Sequence, residues 1–195
     1  SPSGTYQRTA SSSHNLIESA FSNKKISLDE KILYHVYAMF DKAKLPVEFQ
    51  STEAEYCGTW VMDEVFRNWN TLAPVTRDIL MKRYKFTENG TRSRPTGLNS
   101  TRSTGHFIIH YSVVSGDTNA VDWHDNSGNG TPDYVDSVML YAEQSWNHEI
   151  NLLLYYPPPP DLGMGGDDRI DIYLLKISAY GLCYGENLVW NNPNS

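Results

Sequence analysis

The chain has 195 residues, of which 39% are hydrophobic, including 5 Trp, 13 Tyr and 6 Phe; that is enough apolar surface for a packed core and too much for global disorder. A net charge of −7 disfavours a general nucleic-acid binder, whose phosphate-facing surface should be basic, and suits a divalent cation as partner. No apolar run approaches the roughly 18 to 20 residues that a membrane helix needs, so no membrane span is expected.

Residues 1–13 (SPSGTYQRTASSS) are small and polar and read as a flexible arm. No secretory leader is visible before Ser1, so the chain reads as processed or trimmed. Residues 14–86 form a helical front region. Ser27-Leu28-Asp29-Glu30 is a capping box, and Ile32, Leu33, Val36, Tyr37 and Phe40 follow at helical spacing until Pro46. A second helix is predicted over about Val61 to Trp69, with Val61, Val65, Phe66 and Trp69 on one face. A third begins near Pro74, a residue favoured in the first turn, and carries Ile79, Leu80 and Tyr84. These stripes read as core.

Residues 87–105 are rich in Thr, Ser, Gly and Arg and read as a linker or exposed loop. Residues 106–195 begin with a strand, His106 to Val113. There Phe107, Ile109 and Tyr111 point to one face and His106, Ile108 and His110 to the other. After a polar loop, a helix is predicted from about Pro132 to Leu154. Its apolar side is Val135, Val138, Met139, Ala142, Trp146, Ile150 and Leu153 or Leu154. The Pro157 to Pro160 run stiffens the connection to a Gly- and Asp-rich loop, Asp161 to Arg169. The next strand, Ile170 to Ile177, has a partly continuous apolar run and reads as interior. Strand, helix and strand in this order imply a crossover between parallel strands, and the whole chain reads as α+β.

The strongest motif is the loop Asp125 to Asp136 (DNSGNGTPDYVD). Oxygen ligands in an EF-hand-type loop fall at positions one, three, five, seven, nine and twelve, with Gly at six. Those positions are Asp125, Ser127, Asn129, the Thr131 carbonyl, Asp133 and Asp136, with Gly130 at the sharp turn. Calcium is the expected ion, in a structural role, because the chain itself supplies most of the shell. Ser at position three and Asp at position twelve depart from the usual pattern, and a strand replaces the first helix. A helix-capping Asx turn without an ion is the plainer reading of the same residues. A second acidic group, Asp161, Asp167, Asp168 and Asp171, reads as a solvated loop whose Asp167-Asp168 pair could complete a metal site.

Zinc chemistry would need His-Glu-x-x-His on a helix. His148-Glu149 is present, but Leu152 stands where the second His should be. His106 and His110 lie four apart on a strand, about 13 Å along it, too far to share one ion. No catalytic residue is therefore assigned within the chain. Asn-x-Ser/Thr sequons stand at Asn89, Asn99 and Asn129.

Taken together, Lys31 to Gln50, Cys57-Gly58-Thr59, Gly105 to Tyr111, Asp125 to Asp136, Pro157 to Pro160 and Asp167 to Leu175 resemble, in order and spacing, a family of secreted bacterial metalloproteases that is zincin-like. The resemblance runs from about Ile26 to Glu186 and implies a secreted or cell-surface bacterial protein. It implies that residues 14–86 are a pro-like region and residues 106–195 the first half of a catalytic subdomain. The zinc helix would lie downstream of Ser195, so Zn2+ would enter only with that segment, and the rest of the catalytic domain would be a partner. On that view Cys57 pairs with Cys183, or both are free buried thiols, or Cys57 ligates the downstream zinc and holds the enzyme latent. The competing expectation is a non-catalytic, calcium-rigidified structural, adhesion or surface-assembly module, with exposed aromatics such as Tyr180 and Tyr184 as contacts. A carboxylate-based hydrolase rests only on the Asp-rich loops.

Overall fold

The computed structural model describes residues 12–53, 57–159, 163 and 165–183. The fold is mixed helix and sheet, α+β as expected. Contacts divide the chain into two compact units, with breaks between Ser93 and Arg94 and between Lys176 and Ile177. The expected arm lies outside the described residues except for Ser12 and Ser13.

The first unit is helical: α1 (Ser13–Ser22), α2 (Leu28–Phe40), α3 (Thr59–Asn68) and α4 (Pro74–Tyr84). Each start has a local cause. The Ser12 hydroxyl accepts the Asn15 N–H at the head of α1. The Ser27–Glu30 capping box forms in full, with the Ser27 N–H donating to Glu30 Oε2 at 2.7 Å. Such a cap contributes about 1 kcal/mol. Pro74 occupies the first turn of α4, and Lys85 closes that helix in a left-handed conformation. The apolar stripes then meet. Ile32, Val36 and Met39 of α2, Val61, Met62 and Val65 of α3, Trp69, and Leu80 and Tyr84 of α4 form one core. Ile17 and Ala20 of α1 pack with Ala38, Leu45 and Phe49 in another. Residues 177–183 return to this unit: Leu182 packs on its core, and the Ser178 N–H donates to the Met39 carbonyl at 3.0 Å.

The second unit is a small sheet with a helix on one face. Strands β1 (Ser100–Ser103), β2 (Phe107–Tyr111) and β3 (Ile170–Tyr173) lie in the order β1-β2-β3. β1 runs antiparallel to β2, and β3 runs parallel to it in the register Phe107 to Ile170 and Ile109 to Ile172. The parallel pairing expected from the strand–helix–strand order is present. α5 (Asp133–Trp146) covers the sheet, with Val135 packed against Phe107, Ile109 and Tyr111. The opposite face carries Ile108, His110, Asp171 and Tyr173.

Three expectations need correction. Part of the stretch read as linker is β1. Its sequence, Ser-Thr-Arg-Ser, has no apolar signal because its side chains are largely exposed and backbone pairing with β2 alone makes it a strand. β3 is expected to be interior, but among the described residues β2 is the middle strand and β3 is half-buried at the end. The long helix stays α-helical only to Trp146. Asn147–Leu152 widen into a π-helical turn, which shifts the apolar stripe out of phase. Leu153 and Leu154, expected on the buried side, are exposed, and Leu154 has φ +59°.

Candidate metal centres

The loop Asp125 to Asp136 joins the β2 side of the sheet to α5 and is curled by its own hydrogen bonds. Asp125 lies at the centre. Its Oδ1 accepts from the Gly128 N–H at 2.7 Å, the Asn129 N–H at 3.1 Å and the Ser127 hydroxyl at 3.1 Å, and its Oδ2 accepts from the Gly130 N–H at 2.8 Å. Burial pushes the Asp125 pKa up, but these donors outweigh it and hold the carboxyl below its usual range. Gly128 and Gly130 have φ of +72° and +77° with open space at both Cβ positions, so it is backbone conformation that requires glycine there.

The other predicted ligands stand around this ring. The Asn129 side-chain amide donates to Asp136 Oδ2 at 2.9 Å. Asp133 accepts from the Asn126 N–H at 3.0 Å and from its amide at 2.5 Å. Asp133 and Asp136 also sit in the first turn of α5, where the helix dipole favours negative charge. Thr131 is buried, and its hydroxyl accepts from Arg102 Nε of β1 at 2.6 Å, while Arg102 Nη2 donates to the Asn129 carbonyl at 3.2 Å. The geometry therefore brings Asp125 to Ser127 and Asn129 to Asp136, and turns Asp133 toward Asn126. The three loop carboxylates do not converge on one point, since the one set of three acidic, His or Cys side chains within 4.8 Å of one another among the described residues lies elsewhere.

Of the remaining sequence candidates, Asp167, Asp171, His106 and His110 are held by protein partners. Asp167 grips Arg169, with contacts down to 2.6 Å. Asp171 is buried between Arg94 and His110, whose Nε2 is 2.6 Å from its Oδ1. His106 stacks on Trp146 with centroids 4.1 Å apart and meets Glu143 Oε2 at 2.8 Å. His106 and His110 thus serve different carboxylates. Asp161 lies outside the described residues.

The convergent set is Glu18, His35 and Glu64, in the helical unit. α1 supplies His14 and Glu18, α2 supplies Lys31 and His35, and α3 supplies Glu64. Lys31 Nζ bridges the two carboxylates, at 2.9 Å from Glu18 Oε1 and 2.7 Å from Glu64 Oε1. His35 is fully buried, with Nε2 at 2.9 Å from Glu18 Oε1 and Nδ1 at 2.6 Å from His14 Nδ1. Burial lowers the His35 pKa to about 4 despite the opposing pull of Glu18, and burial with the neighbouring His35 lowers that of His14 to about 3. Both rings are therefore neutral at neutral pH. Glu18 must accept, so His35 carries its proton on Nε2 and His14 donates through Nδ1–H; these tautomers are assigned from the hydrogen bonds. Trp60 sits edge-on to both rings, at 4.7 Å from each.

Sequence reasoning missed this group. Its signal was present as two pairs four residues apart, His14 with Glu18 and Lys31 with His35, each on one helix face. That spacing is common on solvated helix faces, and nothing local says that three helices aim the pairs at one point.

Cys57 and Cys183 are both free thiols and both exposed, so the expected disulfide is not formed and the buried-thiol alternative is corrected as well. They meet around one hydroxyl. Cys57 Sγ lies 3.4 Å from Thr59 Oγ1, which also accepts the Cys183 N–H at 2.9 Å. Hydrogen bonds from the Thr59 side chain and backbone hold the Cys57 pKa below its usual value.

No protein-family model matches this chain, and neither a curated protein nor a solved structure shows a significant match to it.

Proposed function

We propose that this chain is the calcium-binding front portion of a secreted, zincin-like metallopeptidase, not catalytic by itself, in which the loop Asp125 to Asp136 clamps the crossover from sheet to helix. The observation that carries the reading is the curl of that loop. Asp125 gathers four hydrogen-bond donors of its own loop, and Gly128 and Gly130 take the left-handed conformation that curls the backbone past it. The expected ligand atoms are all oxygens, which suits a hard cation. Asp125, Ser127, Asn129, the Thr131 carbonyl, Asp133 and Asp136 would hold calcium. The ion would offset the mutual repulsion of three carboxylates while Arg102 ties the loop to β1.

Two further observations support the precursor reading. β2, α5 and β3 form a parallel crossover unit. α5 leaves Tyr134, Leu140 and Tyr141 exposed, and Tyr134 and Tyr141 line an open groove of about 430 Å³ that reaches Ile172. An exposed patch of this kind suits further packing, and the remainder of a catalytic domain would supply it. The same exposed aromatics, with Tyr155, Tyr156 and Tyr180, favour the second reading, a calcium-rigidified module that assembles through its surface. Tyr184 lies outside the described residues.

Thermal melting with calcium and then with a chelator tests the loop. A ligand that binds only the folded state stabilises by about 2.7 kcal/mol at a hundred times its dissociation constant. A calcium-dependent rise abolished by Asp125→Ala and by Asp133→Ala is expected, and no shift at millimolar calcium would refute calcium binding. Expressing the chain with whatever is encoded after Ser195 separates the two readings. Zinc-dependent peptidase activity selects the first, and a continuation without a His-Glu-x-x-His helix selects the second.

A further inference from the structure

We propose that Glu18, His35 and Glu64 form a binding site for a zinc-class divalent cation inside the helical unit, with Lys31 as the internal cation that occupies it in the closed form. The site is independent of the calcium loop.

Three helices aim one ligand atom each at a common point, all within 4.8 Å, without any change in the chain's path. His35 Nε2 already faces both carboxylates, at 2.9 Å from Glu18 Oε1 and 3.8 Å from Glu64 Oε2. Glu64 Oε2 is buried, has no hydrogen-bond partner, and faces His35 Nε2 at 3.8 Å. Charge also points to a divalent occupant. Two carboxylates, Glu18 half-exposed and Glu64 more enclosed, share one ammonium, which leaves a single negative charge that a doubly charged ion in place of the ammonium would neutralise.

The donor set chooses the metal. One imidazole nitrogen with two carboxylate oxygens is too small and too nitrogen-rich for calcium, which takes six to eight oxygens. Three protein ligands with a fourth position left for water are what zinc accepts. His14 completes the arrangement. When a cation takes His35 Nε2, the His35 proton sits on Nδ1 and donates to His14 Nδ1, whose own proton moves to Nε2. Each ring keeps one proton, and His14 becomes the outer hydrogen-bond partner that metal-bound histidines usually have. Lys31 leaves the carboxylates as the ion enters; the Phe21 ring, 4.7 Å from its Nζ, offers the ammonium an aromatic face.

The test uses the full chain with Cys57→Ser and Cys183→Ser, so that thiolates cannot bind the probe, in saturating calcium. Cobalt(II) is titrated as a coloured substitute for zinc, and zinc-dependent melting is measured in parallel. One cobalt site is expected, with visible absorption showing nitrogen and oxygen ligation. His35→Gln and Glu64→Gln should each weaken it at least about tenfold, and His14→Phe by about 10- to 100-fold, the range seen for outer-shell partners. Lys31→Met should tighten it, because the competing ammonium is gone, and Asp125→Ala should leave it unchanged. Far-UV circular dichroism establishes that each variant is folded. No cobalt signal in either the thiol-free chain or its Lys31→Met variant would overturn the proposal, as would a signal that survives both His35→Gln and Glu64→Gln. Loss of calcium binding alone would bear only on the loop.

Discussion

Pairing Cys57 with Cys183 should stabilise the helical unit strongly. The thiols lie 126 residues apart in the chain, yet Thr59 Oγ1 touches Cys57 Sγ at 3.4 Å and the Cys183 N–H at 2.9 Å. A disulfide acts chiefly by removing entropy from the unfolded chain. The loop-closure relation for this separation gives about 5 kcal/mol as an upper figure. At about 2 to 4 °C per kcal/mol for a chain of this size, the unit should melt up to about 10 to 20 °C higher. Oxidised glutathione supplies the oxidant, taking up two electrons and two protons per disulfide formed. Calorimetry of the oxidised chain against the chain kept in a phosphine reductant gives the shift, and thiol titration with mass analysis gives the extent of pairing. Thr59→Val should slow the pairing, since it removes the hydroxyl that holds both partners. Complete intramolecular oxidation without a rise in melting temperature would refute the entropic reasoning. Disulfides formed only between chains would refute the geometry.

Two predictions concern the sheet unit. Burial pushes the Glu143 pKa up, but hydrogen bonds from the Thr104 hydroxyl and from the His106 ring and N–H overcome it and hold the carboxyl at about 2. A carboxylate depressed in the folded state contributes stability above its unfolded pKa, and that contribution is lost as pH falls from about 4.5 toward 2. With the side chain 32% exposed, solvent screening reduces the loss to about 1–2 kcal/mol, and urea unfolding of Glu143→Gln should show no such acid limb. Ile109→Ala removes a fully buried side chain from the α5–sheet core and should cost about 2–5 kcal/mol. Hydrogen exchange should then show faster opening of β2 and β3, while α2 and α3 stay as protected as before.

Features that depend on neighbours within a few residues could be read from the sequence. The Ser27–Glu30 cap, the start of α4 at Pro74, the alternation along β2 and the Gly-marked curl of Asp125 to Gly130 are all of this kind. Each is stabilised by hydrogen bonds or backbone preferences that the local residues carry with them. Tertiary structure decided the rest. Ser100–Ser103 is a strand because β2 offers it a pairing edge. The stripe of α5 ends at Trp146 because the π-helical turn rotates Leu153 and Leu154 away from the sheet. Glu18, Lys31, His35 and Glu64 become one group because three apolar stripes pack and carry their polar neighbours inward. Thr59 likewise gathers two distant cysteines because residues 177–183 return to the helical core. Long-range burial, which no short window of sequence contains, sets these positions.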